Sequence, residues 1–435
     1  MRSSLCVAFA VVAASAVAAP AQAYHLKTLY SFCAKAHCAD GGSPAAALLE
    51  DSAGNLYGTT SSGGTKALDE NAPGGTVFEL ERDGTKWRHR VLHSFCSDAF
   101  CSDGATPLGG LVMDASGNLY GSTNEGGAFG YGTVFVLKPN GSRWKLKTLH
   151  DFCPSACGTT EGAAPWGTLT YDGAASGASY DGTSPLYGTT FGGGQFDAGT
   201  AFALSPAHRG WKLKTIYEVC SDESCNASEM NPGLTIDGGG NLYGTISLGG
   251  ATGVGNAFEL ARQGKRWSYT DIYDFCSAPS CGGYEPGSPP VPDGTGAFYG
   301  TTEFGGPTEQ HGGVVYKLTP GGARTFTETV VHAYCSAADC ADGSVPVAPV
   351  VLDAEGNILA AASMGGASGG GNVTKFSSAG AILDGYDFCA KASCADGRNP
   401  SAPVSDASGS LFGTTRGGGK HSDGNHGGTV YELVP

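Results

Sequence analysis

The sequence predicts an all-β fold: a seven-bladed β-propeller, four antiparallel strands per blade, with the ring closed by the N-terminal strand completing the last blade. Three observations lead there: one phrase recurs seven times, three other strand-like phrases travel with it, and the two ends of the chain are complementary fragments of the same unit. A fixed repeat decides the architecture before any local propensity does.

The recurring phrase is LYGTT at Leu56, LYGST at Leu119, LYGTT at Leu186, LYGTI at Leu242, FYGTT at Phe298, ILAAA at Ile358 and LFGTT at Leu411. We label it strand B. Before it stands a run such as PLGGLVMD (strand A), joined to B by a turn of the DxxGN type, where Asp and Gly suit a tight reversal. After it come GTVFEL or a relative (strand C) and WKLKTLHDF or a relative (strand D). Short β-branched and aromatic runs bounded by glycine read as strands, and four-stranded units repeated radially make a propeller of four to eight blades. The 71 glycines of 435 residues lack a three-residue period, so turns account for them.

The termini provide the third observation. Residues Tyr24 to Phe32, YHLKTLYSF, are a D strand with no unit before them, and GTVYELVP at Gly428 is a C strand with no D after it. Pairing the two completes blade 7 and removes a free edge.

Residues 1–23 read as a signal peptide, with Arg2, an apolar stretch and an Ala-Gln-Ala ending before Tyr24, leaving 24–435 as a single propeller domain. Cys6 falls inside the apolar stretch, which argues against lipid attachment and for export to an extracellular or periplasmic location. No later stretch is long and apolar enough to span a membrane. The other fourteen cysteines form seven close pairs: Cys33 and Cys38, Cys96 and Cys101, Cys153 and Cys157, Cys220 and Cys225, Cys276 and Cys281, Cys335 and Cys340, Cys389 and Cys394. In an exported chain such pairs read as disulfides, each closing a small loop and worth about 2 kcal/mol. The pairs recur 54 to 67 residues apart, whereas a zinc site needs two of them at one point. The net charge of −15, without a basic cluster, excludes nucleic acid and anionic membrane surfaces as expected partners.

The combination of NLYGTTxxGG, GTVFEL and FCxxxxC resembles the GloVer-type tandem repeat of secreted bacterial proteins. The resemblance covers essentially the whole chain after residue 23. It implies β-propeller-like repeats and carries over no catalytic residues. Members of that family carry varied anchors; this chain stops at Pro435 without a hydrophobic or sorting tail, so free secretion as a monomer is expected.

In an up-and-down blade the D-to-A and B-to-C connections share one face, here the face with every cysteine loop and every glycine-rich loop, so binding is expected there. Four residues before the proline that opens strand A stands an acid in six blades: Asp40, Asp103, Glu161, Glu285, Asp342 and Asp396; blade 4 has Ser228 with Glu229 beside it. Either each carboxylate caps its own cysteine loop, or the set forms a ring able to hold calcium or a cationic ligand. No other cofactor is expected.

The two residues between GTT and GG differ in every blade, and this variable pair points to ligand contact through Phe191, Phe304 and Arg416, with Trp166 at the same rim able to stack on a sugar. The leading expectation is a binding module for extracellular glycan or protein. The alternative is a polysaccharide lyase or hydrolase at the channel mouth. Its acid and base would come from His311, His421, His426, Glu125 and Glu303, although polar residues also collect in such loops without a chemical role. Lys66 and Lys420 lie in the same long loops. His93, His150 and His332 share one repeat position with Tyr30 and Tyr217 and read as scaffold. No P-loop, GxSxG elbow or HExxH motif is present.

Overall fold

The protein is seven antiparallel sheets set in a ring. The computed structural model describes residues 24–65, 74–153, 160–220, 227–277, 281–306, 312–322, 325–422 and 427–435. Strand B runs Leu56–Thr60, Leu119–Thr123, Leu186–Gly193, Leu242–Leu248, Phe298–Gly305, Ile358–Ala362 and Leu411–Gly417 in blades 1 to 7. Each pairs with the C strand that follows, and each C strand of blades 1 to 6 pairs with its own D strand. In blade 7 the C strand Thr429–Val434 pairs instead with His25–Ser31, from His25 opposite Val434 to Ser31 opposite Thr429. The complementary ends therefore close the ring as the sequence predicts.

Strand B is buried along its first five residues in every blade, which explains its nearly invariant wording. Its glycine is a packing requirement: a Cβ on Gly58 would lie 2.6 Å from the ring of Phe78 on the neighbouring C strand. Leu and the C-strand aromatic thus stack across a position that must stay empty.

The core is seven clusters, one in each seam between consecutive blades. Tyr57, Val77 and Phe95 of blade 1 pack with Leu111, Leu119 and Phe135 of blade 2. The last seam joins Phe412 and Val430 of blade 7 to Leu48, Leu56 and Phe78 of blade 1. Hydroxyls reinforce the seams. Thr59 Oγ1 donates to Gly109 O at 2.9 Å, Thr189 to Asn231 O at 3.0 Å, and Thr414 of blade 7 to Ala46 O of blade 1 at 3.1 Å.

The A-to-B turns close as their residues dictate. Asp51 accepts the backbone N–H groups of Ala53 and Asn55, each at 2.9 Å, an Asx-type turn. The blade 3 insertion folds over blade 2: Tyr180 is buried, its N–H donates to Met113 O at 3.1 Å, and its ring meets Tyr120 edge-on at 5.0 Å. The pairs Cys33–Cys38, Cys96–Cys101, Cys276–Cys281, Cys335–Cys340 and Cys389–Cys394 are disulfides. Cys153 and Cys220 are disulfide-bonded too, while Cys157 and Cys225 lie outside the described residues.

Candidate functional site

Five of the six acidic residues singled out before strand A cap their own cysteine loops. Asp40 accepts Ala34 N–H at 3.0 Å, Lys35 N–H at 3.1 Å and the Tyr30 hydroxyl at 2.6 Å. Asp396 does the same with Ala390, Lys391 and Tyr386, and both aspartates are fully buried. Asp103 takes Ser97 N–H and faces His93 Nε2 at 3.0 Å. Glu161 takes Cys153 N–H at 2.7 Å beside His150, and Asp342 takes Ser336 and Ala337 N–H beside His332. The D-strand histidines are therefore partners of loop caps. Among the described residues no group of three or more His, Cys, Asp and Glu is arranged to hold a metal ion.

Glu285 departs from this set. The sequence alignment on Pro289 places it with the caps, but the residue that opens strand A in blade 5 is Pro286, paired with Thr302 of strand B as Pro400 is with Thr415. The cap position is then Gly282, and Glu285 moves to the position just before the proline. Blade 4 has Met230 in place of the proline, paired with Ile246, which puts Glu229 in that same position.

This position forms a ring of its own. Ser43, Thr106, Ala164, Glu229, Glu285, Val345 and Asn399 all have positive φ, between 54° and 66°, a conformation that side-chain-bearing residues seldom adopt and that each seam must stabilise. A backbone bond does so. Ser43 N–H donates to Gly427 O at 2.8 Å, Thr106 to Gly74 O at 2.7 Å, Ala164 to Tyr131 O at 2.9 Å and Glu285 to Val254 O at 2.9 Å, each reaching the preceding blade. The geometry repeats while the side chains differ, and the two carboxylates fall in adjacent blades.

Glu303, in strand B of blade 5, joins them. Burial, followed by the charges of Glu285 and Glu229, pushes its carboxyl above the usual range. Burial and Glu229 likewise raise Glu285. Among the described residues no cation contributes to either shift. Two aromatic pairs belong to the same sector. On the blade 3 side the Trp166 indole N–H donates to Met230 O at 3.3 Å, one residue from Glu229. Phe191 meets Trp166 edge-on at 5.3 Å and is 43% exposed. On the blade 5 side Tyr284 and Phe304, cross-strand partners, stack at 5.6 Å.

The structure thus brings together Trp166, Phe191, Glu285, Glu303 and Phe304 of the sequence candidates and adds Glu229 and Tyr284. Arg416 and His421 are exposed in blade 7, across the ring. Glu125 is in blade 2, its carboxylate 3.4 Å from Thr106 Oγ1. His311, His426 and Lys66 lie outside the described residues. On the opposite face a cleft of about 320 Å³ opens between blades 3 and 4, beside the Arg262–Asp172 ion pair.

These features define a closed repeat propeller with one irregular sector on its loop face. The chain belongs to the Gloeobacter/Verrucomicrobia repeat family, whose profile matches residues 17–185 and 170–347. No curated protein matches it. Among solved structures it is similar to the extracellular domain of a putative one-component system from B. thetaiotaomicron, at 11% identity and TM-score 0.53, covering 94% of this chain and 40% of that one. A gluconolactonase from Xanthomonas campestris matches at 13% identity and TM-score 0.40, covering 77% of this chain and 87% of that one. The first likeness is one of fold.

Proposed function

We propose that this propeller is an exported binding module for extracellular carbohydrate and that the sector across blades 3 to 5 is its ligand site. One observation carries the reading: the aromatic pairs Trp166 with Phe191 and Tyr284 with Phe304 occupy the same sector as three carboxylates, Glu229, Glu285 and Glu303, of which Glu303 is raised by burial and by the other two. Aromatic faces take the apolar face of a sugar ring, and carboxylates accept its hydroxyls through charge-assisted hydrogen bonds. Uncompensated acids disfavour anionic polymers by like-charge repulsion. The disulfides agree with an oxidising compartment, and among the described residues no helix is long and apolar enough to cross a membrane.

The second reading is hydrolysis. A carboxyl raised by burial and by neighbouring carboxylates is what a general acid requires, and Glu303 fits that description. The test is a glycan array run beside reducing-sugar and unsaturated-uronate assays. Binding weakened roughly tenfold or more by Trp166→Ala, about 1.4 kcal/mol, without turnover, supports the binding module. Turnover abolished by Glu303→Gln replaces it with the hydrolase. Absence of any glycan retained by the wild-type protein overturns both.

A further inference from the structure

Tyr24 is the residue that follows the Ala-Gln-Ala sequence. Tyr24 is 5% exposed, its ring packed in the seam of blades 6 and 7 with Leu359, Leu411 and Leu433. Its backbone nitrogen lies 3.0 Å from Asp384 Oδ1, in a buried contact. Asp384 belongs to the outer strand of blade 6, Ile382–Asp387, so this contact joins the outer edges of blades 6 and 7.

Asp384 is a carboxylate in an unfavourable place. It is 9% exposed, and burial raises its carboxyl above the usual range despite hydrogen bonds from Gly385 and Tyr24 N–H groups. The cation opposite it in register, Lys375, sends its Nζ to Asp353 at 2.7 Å. His25 is the other nearby base. A buried carboxylate held by amide N–H groups, beside a lysine whose ammonium is engaged by Asp353, lacks a dedicated counter-charge.

We propose that hydrolysis of the Ala23–Tyr24 peptide bond supplies that counter-charge: the new α-ammonium of Tyr24 forms a buried ion pair with Asp384 and fastens the closing strand to blade 6. The chemistry balances simply. Water adds its hydroxyl to the Ala23 carbonyl carbon, the C–N bond breaks, and the Tyr24 nitrogen leaves as an amine that takes up a proton at neutral pH. The amide it replaces donates a hydrogen bond but carries no charge; the ammonium donates at the same position with one. The ring therefore acquires its full hold on the N-terminal strand only after processing, which leaves the precursor looser during export. The inference extends the signal-peptide reading and is independent of the ligand site.

The experiment begins with mass spectrometry of the exported protein, which is expected to start at Tyr24; another start overturns the proposal. Purified protein beginning at Tyr24 is then compared in urea with protein carrying one extra alanine before it, each with and without Asp384→Asn. The form beginning at Tyr24 is expected to unfold with an equilibrium constant about tenfold smaller, about 1.4 kcal/mol, and Asp384→Asn is expected to abolish that difference. Equal stability of the two forms, or a difference that survives Asp384→Asn, overturns it. A second readout needs no variant: NMR titration of the ¹³C-dimethylated α-amine should give a pKa above the ordinary value of about 7.7 to 8.0. An ordinary value overturns the ion pair.

Discussion

The Tyr273 hydroxyl donates to Glu328 Oε2 at 3.0 Å across the seam of blades 4 and 5. Tyr30 and Tyr386, at the same repeat position, donate instead to aspartates in the cysteine loops. Blade 5 has Gly282 where those aspartates stand, and a Cβ on Gly282 would lie 2.6 Å from Glu328 Oε2. The carboxylate has moved from the loop to the neighbouring strand, and the two places cannot both be filled. Glu328→Leu is expected to cost about 1 to 3 kcal/mol by removing the carboxylate that accepts the Tyr273 hydroxyl, and Gly282→Asp in that background to restore much of it. A double-mutant cycle on urea midpoints measures the coupling; additive effects would show that the two sites are independent.

His89 predicts acid sensitivity. Its ring stacks on Tyr30 at 4.1 Å, and burial lowers its pKa from 6.5 to about 4. The folded state therefore releases a proton that the unfolded chain keeps. This contribution is present above pH 6.5 and is lost as pH falls toward 4, amounting to about 3 kcal/mol at 1.36 kcal/mol per unit. Leucine holds the equivalent place in blades 2 and 3, Leu146 and Leu213. His89→Leu should flatten the decline in urea midpoint between pH 7 and pH 4; an unchanged slope assigns the decline to other groups.

Glu303 should respond to the charges beside it. Because Glu285 and Glu229 help raise Glu303, replacing both with glutamine is expected to lower the Glu303 midpoint while burial keeps it above a free glutamate. Carboxyl ¹³C NMR measures this directly. A Glu303 midpoint that does not move would mean that the charges lie too far apart to form one site.

Ring closure can be tested by truncation. Protein lacking residues 24–32 loses the partner of Thr429–Val434 and the burial of Phe32 in the blade 7 to blade 1 seam. It is expected to melt at lower temperature and to associate through the exposed strand, as light scattering against concentration would report. Melting like the full domain would show that the closing strand is dispensable.

The frame was legible because its residues do one job seven times. Strand B and strand C are buried in every blade, so their wording repeats, and the lone D and C strands at the ends fitted together. The candidate site was only half legible. Trp166, Phe191, Glu303 and Phe304 announced themselves by differing from the repeat. Glu229 and the true position of Glu285 did not, because blade 4 has Met230 where a proline should mark the register and blade 5 offers Pro286, Pro289 and Pro290 within five residues. Three acids from two blades meet only through the ring, and no linear spacing records that meeting.

The left-handed residues before strand A have a further consequence. What fastens blade to blade there is the main chain, through an N–H and a carbonyl that any amino acid except proline supplies. The side chains there are largely released from that task, Asn399 excepted, whose Nδ2 donates to Ser363 O of blade 6 at 2.7 Å, and all are kept at fixed places around the ring. Ser43, Thr106, Ala164, Glu229, Glu285, Val345 and Asn399 are in effect seven characters on a frame that does not read them. Because the main chain carries the fastening, chemistry at these positions is free to diverge while the architecture stays the same.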